Sequence, residues 1–344
     1  MLSRRAFLSF SACALAAGAS LLSTGCARTA DAEGGLGASS SDAYGKPARA
    51  TVFAFDTVSN IEAYCPQDVL DEVEERLRYF EGIFSRTVVG SDVYAINHAD
   101  GMPTEVSPET AEVIAEALRY AELSDGLFDI TIGAVTQLWD FKNGVVPEQQ
   151  ALARALEHVD WRGVGVRGTV VTLTDPYAAI DLGGIAKGYI ADDVARLLRE
   201  RGCESALINL GGNTYALGTR PDGTPWSVGL QDPGKARGTV YAQVQASDLS
   251  IVASGIEERG FEKDGVYYHH LLDPRTGMPV TNGTASVTIA SARSVDGDAC
   301  STIAFLLGAE EGLAFIEEQP GIEGLFIGTD ESSAASKGFP PCAS

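Results

Sequence analysis

One stretch, residues 178–218, constrains the fold more than any other, because strand, turn and helix patterns follow one another there with little chain between them. An apolar strand (178–181) is predicted to end at Asp181, and the turn Gly183-Gly184 follows it. Next comes a helix whose apolar face is formed by Ile190, Val194, Leu197 and Leu198. A strand (206–210) and a second glycine turn (211–213) complete the stretch. Apolar residues three and four positions apart predict the helix, and Gly202 is its expected end.

The first glycine turn precedes a helix N-terminus, which is a common place for an anion. Free backbone N–H groups and the helix dipole favour negative charge there, and glycine lets a phosphate approach the backbone. Lys187 adds a positive charge nearby. The spacing matches neither a Walker loop nor the G-x-G-x-x-G motif. An ordinary strand-to-helix turn, with Lys187 solvated and Asp181 or Asp192 as a cap, therefore stays open.

The charge balance limits the partners. The formal net charge is −22, so nucleic acid is not an expected partner, because its phosphates would be repelled. A dinucleotide would be repelled too, so any phosphate site needs local help from a cation, a lysine or a helix end. The chain has 38 glycines among 344 residues, which fits many turns and short strands better than a helix bundle.

The first residues are typical of a targeting segment rather than of a fold. Residues 1–25 contain a twin-arginine motif and a short apolar run, and Cys26 follows a sequence that resembles a bacterial lipoprotein cleavage site. Residues 26–48 are rich in Ala, Gly and Ser and predict a flexible tether. We expect an exported protein, lipid-anchored through Cys26 to the outer, extracytoplasmic face of the cell membrane. A cleaved, soluble exported protein is the alternative.

The folded domain is predicted at 49–331, followed by a loose tail at 332–344. The main predicted elements are a strand pattern at 51–63, helices at 68–84, from Pro108 to Gly126 and at 296–307, strands at 226–233, 240–252 and 285–291, and a hairpin around Lys263-Asp264-Gly265. The cysteines beyond Cys26 are widely spread. They predict no zinc site, and they leave open one or two disulfides after export.

Two groups of residues suggest chemistry on their own. Asp298 and Thr302 lie four residues apart on a predicted helix and so share one face. A carboxylate and a hydroxyl are hard oxygen ligands that suit Mg²⁺ rather than zinc. An aspartate at a helix start beside a core threonine is the alternative. His269 and His270 face opposite sides of a predicted strand, so at most one of them is expected in a cleft.

Six motifs, taken together, resemble one family. They are DITIGAVTQLW, AIDLGGIAKGYIAD, LINLGGN, WSVGLQDP, HHLLDPRTGMPV and DACSTIAFLLG. In this order, over about residues 51–328, they resemble the ApbE family of FAD:protein FMN transferases. The resemblance implies an α+β, T-fold-like architecture of mixed sheets packed with helices. It also implies an enzyme that splits FAD with Mg²⁺, transfers FMN to a Thr or Ser hydroxyl of a target flavoprotein, and releases AMP.

The resemblance also implies roles for single residues. The Mg²⁺ ligands would be Asp298, Thr302 and the backbone carbonyl of Gly184. The FAD contacts would be Phe55, Thr87, Leu127, Phe128, Asp129, Asp181, Lys187 and Leu272. His270 matches a histidine implicated in transfer. Phe55 stands where methionine is frequent in the family, and Thr87 where some members have tyrosine.

The expected mechanism is phosphoryl transfer, which depends mainly on positioning and charge stabilisation. Mg²⁺, Lys187 and the turn N–H groups would neutralise the pyrophosphate, and His270 or a carboxylate would take the proton of the incoming hydroxyl. The targets would be membrane subunits of electron-transfer complexes or exported flavoproteins. Two alternatives remain: a pyrophosphatase that yields FMN and AMP, and a non-enzymatic flavin-binding lipoprotein.

Overall fold

The structure is a computed structural model that describes residues 45–343. The predicted signal peptide, Cys26 and nearly all of the predicted tether lie outside the described residues. The helices are α1 (Gln67–Phe84), α2 (Asp92–Asn97), α3 (Pro108–Leu123), α4 (Gly133–Thr136), α5 (Gln149–Leu156), α6 (Ala186–Glu200), α7 (Ser294–Leu307) and α8 (Ala309–Glu317), with a 3₁₀ turn at Trp161–Gly163. In residues 45–343 no helix is both long enough and apolar enough to cross a membrane.

The strands form one large sheet and three small ones. They are β1 (Ala48–Ala54), β2 (Thr57–Ala63), β3 (Thr104–Glu105), β4 (Val164–Arg167), β5 (Val170–Leu173), β6 (Ala206–Leu210), β7 (Asn213–Leu217), β8 (Trp226–Gln231), β9 (Val240–Ala246), β10 (Leu249–Gly255), β11 (Gly260–Lys263), β12 (Val266–His269), β13 (Thr284–Ser291), β14 (Ile322–Gly328), β15 (Ser333–Ala335) and β16 (Cys342–Ala343). The sheets are β1-β2-β6-β7-β10-β13-β14-β15, β16-β9-β8, β3-β5-β4 and the hairpin β11-β12.

The large antiparallel sheet is covered on both faces. Helices α1, α6 and α7 pack on one face, where Leu77 and Ile190 meet sheet residues such as Ile208 in the main core. The β8–β9 hairpin packs on the other face, where Trp226 lies in a smaller apolar cluster with Ile251. Every residue of β13 is buried as a result. This arrangement of mixed sheets and helices confirms the predicted α+β class.

The C-terminal residues are paired strands where a loose tail is predicted for 332–344. β15 extends the large sheet along β14, and β16 pairs with β9 through Cys342 and Val244. An edge strand exposes unpaired N–H and C=O groups, so a short tail that pairs with them covers two such edges. Buried Ser336 adds a side-chain bond, since its Oγ accepts the Gly324 N–H at 2.9 Å.

The predicted strand at 178–181 is reduced to a single parallel bridge between Ile132 and Ala179. The backbone of Ile180 bonds a side chain instead: Asn97 Nδ2 donates to the Ile180 carbonyl at 2.9 Å, and the Ile180 N–H donates to Asn97 Oδ1 at 2.7 Å. The Asp181 N–H donates to the Ile130 carbonyl at 2.8 Å. These bonds hold residues 178–181 extended without regular pairing to a neighbouring strand. They also fix where the glycine turn begins.

The pattern at 51–63, read as one strand, is a hairpin of β1 and β2. Phe55 and Asp56 form its two-residue turn with φ of 56° and 57°. Such turns need positive φ and usually use Asn or Gly, which is why the sequence conceals this one. The cysteines in the described part of the chain, Cys65, Cys203, Cys300 and Cys342, are free thiols.

Candidate functional site

Helices α6 and α7 meet closely at the start of both helices. A Cβ added to Gly188 would lie 2.7 Å from the Cα of Val295, so only glycine allows this approach. Asp192 accepts the N–H groups of Ser294 and Val295 at 2.7 and 2.9 Å, which satisfies two free donors at the α7 N-terminus. Burial raises the pKa of Asp192 to about 6, while these bonds act in the opposite direction.

Asp298 brings a buried carboxylate to this helix contact. Its Oδ2 accepts the Gly188 N–H at 2.8 Å, and its Oδ1 lies 3.9 Å from Lys187 Nζ. The residue is 3% exposed. The Lys187 ammonium group makes no hydrogen bond within residues 45–343, so its three donors are free for another anion.

Gly184 and Thr302 lie side by side. A Cβ on Gly184 would come 3.5 Å from Thr302 Oγ1 and 3.1 Å from the ring of Phe128, so the turn packs closely against both side chains. Thr302 Oγ1 donates to the Asp298 carbonyl at 3.4 Å. The turn, Lys187 and the α7 face therefore meet in one place.

The donor set at this place fits Mg²⁺. A carboxylate of Asp298, a hydroxyl of Thr302 and a backbone carbonyl of Gly184 are all hard oxygen donors. No group of three or more His, Cys, Asp or Glu side chains in residues 45–343 is arranged to hold a metal ion. A cation here would thus need the hydroxyl and the carbonyl as well as the carboxylate.

The glycine turn also offers backbone donors. Asp181 Oδ1 accepts the Gly183 N–H at 2.9 Å, which fixes the turn. The N–H groups of Gly184 and Lys187 donate to no acceptor among residues 45–343. They lie at the N-terminus of α6, where the helix dipole favours an anion.

Asp181 has a cation beside it that the sequence analysis did not identify. Arg86 Nε lies 3.4 Å from Asp181 Oδ2, and Thr136 Oγ1 donates to the same oxygen at 2.9 Å. Thr87, the predicted FAD contact next to Arg86, is exposed, with its Oγ1 3.2 Å from Ser85 Oγ. The only sequence signal for Arg86 was its position beside Thr87.

The residues predicted to contact the adenine side of FAD lie in two different environments. Leu127 and Phe128 are buried in the main core, and the Phe128 ring faces Gly184. Asp129 is buried as well, but its carboxylate accepts the Thr131 N–H at 2.7 Å and the Trp161 N–H at 3.0 Å. Burial raises the pKa of Asp129, with these bonds acting against it. The carboxylate therefore already serves to hold the local backbone.

Two small cavities lie on the Asp129 side of the molecule. The larger, about 280 Å³, is lined by Asp129 and Trp161, and the smaller, about 160 Å³, by Thr131 and His158. Neither is lined by Gly184 or its neighbours in the turn.

Phe55 adopts a strained backbone in the β1–β2 turn. A positive φ costs a bulky L-residue about 1 kcal/mol or more. Its N–H donates to Glu81 Oε1 at 3.1 Å, which holds the conformation. Thr57, the first residue of β2, would collide with any side chain on Gly211, so this hairpin packs directly on the second glycine turn.

The two histidines separate as the sequence predicts. His269 is buried against Phe305, and its Nε2 lies 3.0 Å from the Val280 carbonyl. His270 Nδ1 lies 3.3 Å from the Arg259 carbonyl. Burial, with the nearby charges of Arg259 and Lys187, lowers the pKa of His270 to about 3, so the ring is neutral near pH 7.

Leu272 lies in a different cluster from the other predicted FAD contacts. It packs with Val135, Trp139 and Leu152, and pairs with Pro279 through a single bridge. The structure thus groups Gly184, Lys187, Asp298, Thr302 and Phe128 in direct contact or close approach. Asp181 adjoins this group through Gly183, and Thr87 follows Arg86, the partner of Asp181. The His270 ring lies at the Arg259 carbonyl, and the Asp129 carboxylate and Leu272 pack elsewhere.

Glu258 lies beside the second glycine turn and is not among the predicted site residues. It lies between β10 and β11, and its Oε1 is 4.0 Å from the position of a Cβ on Gly212. Its side chain is exposed. The segment GIEERG gave no signal, because an acidic residue in a polar turn is ordinarily solvated.

On this α+β scaffold a lysine, free helix N–H groups and oxygen donors surround a glycine turn, and groups of these kinds can bind a phosphate. The particular family follows from comparison with known proteins. The chain belongs to the ApbE family, whose model matches residues 55–326.

Several proteins of known name are similar to this chain. A FAD:protein FMN transferase from Treponema pallidum is 38% identical over 288 residues, covering 78% of this chain and 80% of the relative. One from Klebsiella pneumoniae is 36% identical over 260 residues, covering 74% and 80%.

Solved structures agree in fold. The ApbE protein of Thermotoga maritima has a TM-score of 0.79 at 30% identity, covering 86% of this chain and 98% of that chain. The flavin transferase ApbE of Vibrio cholerae has a TM-score of 0.76 at 26% identity, with the same coverage. These matches confirm the ApbE-type architecture that the six motifs predict.

Proposed function

We propose that this protein is an FAD:protein FMN transferase. It would transfer FMN from FAD to a Thr or Ser hydroxyl of a target flavoprotein, with Mg²⁺, and release AMP. Family membership and the similar flavin transferases support the transferase class. The observation that carries the finer proposal is the meeting of Asp298, Lys187 and the Gly184 turn at the α6 N-terminus.

The chain's own residues provide the charge that an anionic substrate requires. Lys187 and the free N–H groups of Gly184 and Lys187 would bind the diphosphate, which offsets the acidity of the protein. Asp298, Thr302 and the Gly184 carbonyl would hold the cation. When bound, Mg²⁺ would polarise a phosphoryl oxygen and stabilise charge on the departing phosphate.

The acceptor hydroxyl must lose its proton during transfer. His270, the residue that the family resemblance implicates, is neutral near pH 7, with Nδ1 directed at the Arg259 carbonyl. If Nδ1 carries the proton, Nε2 is left with a free lone pair. His270 or a carboxylate would then take the acceptor proton.

One experiment separates this proposal from its rivals. Protein without residues 1–25 is mixed with FAD, Mg²⁺ and a flavoprotein target that carries an acceptor Thr or Ser. Transfer is supported if the target gives a fluorescent band on a denaturing gel and one AMP is released for each flavin attached to the target. Free FMN and AMP without a band would mean a pyrophosphatase, and FAD that stays intact but bound would mean a flavin carrier. A target with the acceptor residue changed to Ala is the control.

We also propose that the protein is exported and anchored through lipid on Cys26 at the extracytoplasmic face of the membrane. The support is the sequence of residues 1–26. Mass spectrometry of the membrane fraction tests it, with Cys26→Ser expected to release the protein. Targets would then be electron-transfer subunits or other flavoproteins exposed on the same side.

A further inference from the structure

Two cysteines lie at the same end of the paired strands β2 and β6. Cys65 comes shortly after β2, and Cys203 comes shortly before β6. The pairing continues one step beyond the two strands, because the Tyr64 N–H donates to the Ser205 carbonyl at 2.9 Å. The Cys203 thiol donates to the same carbonyl at 3.5 Å. The Cys203 sulfur and the residue before Cys65 therefore meet at one oxygen atom.

Both cysteine side chains belong to the side of the sheet that the helices cover. Cys203 is completely buried in the main core, and the half-buried Cys65 packs against that core. In the continued register Cys65 is opposite Glu204, the neighbour of Cys203. Directly opposed residues of antiparallel strands have Cα atoms about 4.5–5.5 Å apart, and a disulfide joins residues whose Cα atoms are about 4.4–6.8 Å apart. Cys203, one position away from the opposed residue, is within reach of such a bond.

The other two cysteines of residues 45–343 lie on other elements. Cys300 is buried in α7. Cys342 is exposed in β16, which belongs to a different sheet from β2 and β6. Cys65 and Cys203 are thus the two that share one end of a strand pair.

We propose that Cys65 and Cys203 become joined by a disulfide once the chain meets a disulfide oxidant, which export, as proposed above, would provide. The Cys65 thiolate, which water reaches, attacks the oxidant's S–S bond and releases one thiolate. The Cys203 thiolate then attacks the Cys65 sulfur and releases the second. The two protein thiols lose two protons and two electrons, and the oxidant's disulfide takes them up as two thiols.

The timing of this reaction follows from the surroundings of Cys65. Burial, followed by the neighbouring Cys203 thiol, raises the pKa of Cys65 to about 12. The thiolate is the form that attacks a disulfide, so oxidation of the folded chain is slow at neutral pH. The bond therefore forms most readily while the chain folds.

The disulfide would join two helices at the ends that lie away from the candidate site. Cys65 precedes α1 and Cys203 follows α6. Lys187 lies in the first turn of α6, and Arg86 comes after the end of α1. A bond that closes so long a loop stabilises mainly by restricting the unfolded chain. We therefore expect a more stable protein with an unchanged site.

The test uses the full chain, purified in detergent, reduced, unfolded in urea and refolded with reduced and oxidised glutathione. Folded protein incubated with the same mixture is a second sample. Free thiols are alkylated under denaturing conditions, and a non-reduced digest is analysed by mass spectrometry. We expect a linked pair of peptides that contain Cys65 and Cys203, with Cys300 and Cys342 alkylated. The oxidised protein should unfold roughly 5 °C higher than the reduced protein.

Cys342→Ser is the matched control, because Cys342 is exposed and lies in another sheet. It should form the same bond and show the same rise in unfolding temperature, whereas Cys65→Ser should show no rise on oxidation. Cys65 and Cys203 found alkylated, or carrying only glutathione, in both samples would overturn the proposal. A bond that leaves the unfolding temperature unchanged would overturn its stabilising role. Flavin transfer is not measured, so these outcomes are independent of the proposed function.

Discussion

The N–H of Gly188 donates to Oδ2 of Asp298 at 2.8 Å, and this bond joins the first turn of α6 to the first half of α7. It fixes the carboxylate of a residue 110 positions further along the chain. The bond leaves Oδ1 directed toward Lys187, at 3.9 Å from its Nζ. The orientation of the proposed metal ligand thus depends on packing between two helices.

Changing Asp298 to Asn should remove the negative charge of the proposed metal ligand and keep its hydrogen bond to Gly188. The amide oxygen can still accept the Gly188 N–H, so thermal stability should change little, whereas Mg²⁺-dependent transfer should fall by about a hundredfold or more. Asp298→Ala should also lose about 1–3 kcal/mol of stability, because a buried N–H is left unpaired. Transfer, Mg²⁺ titration and thermal unfolding are the measurements. Full transfer by a folded Asp298→Ala protein would contradict the metal assignment.

Gly188→Ala should harm both stability and activity. The new Cβ would lie 2.7 Å from the Val295 Cα, so α6 and α7 must separate, at a cost of about 1–3 kcal/mol. Separation would displace Asp298 from Lys187 and reduce transfer. Gly82→Ala is the control, since nothing lies within 4 Å of a Cβ at that helical position. That variant should be neutral or slightly more stable. Equal stability of the two variants would argue against close helix contact.

Arg86→Gln should weaken FAD binding more than it weakens the fold. The partly exposed ion pair with Asp181 contributes about 1 kcal/mol or less to stability. Without Arg86, an uncompensated carboxylate faces an anionic substrate, so the Kd for FAD should rise several-fold, and more at low salt than at high salt. Flavin fluorescence titration measures this. Arg78→Gln, at an exposed pair with Glu74, should bind FAD as wild type does. If the rise in Kd for FAD did not depend on salt concentration, charge repulsion by Asp181 would be ruled out as its cause.

His269 should make stability depend on pH. Burial lowers its pKa below the ordinary value of 6.5. Below pH 6.5 the unfolded chain takes up a proton that the folded chain does not, so stability is full above that pH and falls as pH drops toward the folded pKa. His269→Gln can still donate to the Val280 carbonyl, and its unfolding free energy should vary less between about pH 7 and pH 5. Urea unfolding measures the slopes, and exposed His98→Gln should keep the wild-type slope.

Local sequence predicted the elements well where one signal dominated. The apolar face of α6, the proline at the start of α3 and Gly308 at the end of α7 mark helices that the structure contains. The failures occurred where a tertiary contact replaced local pairing. The backbone of Ile180 bonds the Asn97 side chain rather than a neighbouring strand, and no periodicity records that.

The C-terminal residues show the same limit. Residues 333–343 have little apolar period, yet they pair with β14 and β9, because those strands have edges to cover. The sequence of residues 333–343 does not indicate which sheet edge they can pair with. Only the order of strands in the sheets determines this.

The sequence by itself determined the glycine turn, the helix that follows it, the Asp298–Thr302 pair on one helical face and the family motifs, because each depends on residues close together in the chain. The tertiary structure decided which of these groups meet. Gly184, Lys187 and Asp298 come together because Gly188 lets two helices touch, and Asp129 is occupied by the backbone of Thr131 and Trp161. Arg86 joins the site from a distant turn, through its ion pair with Asp181. Such convergence depends on packing across the whole sheet, which spacing along the chain does not encode.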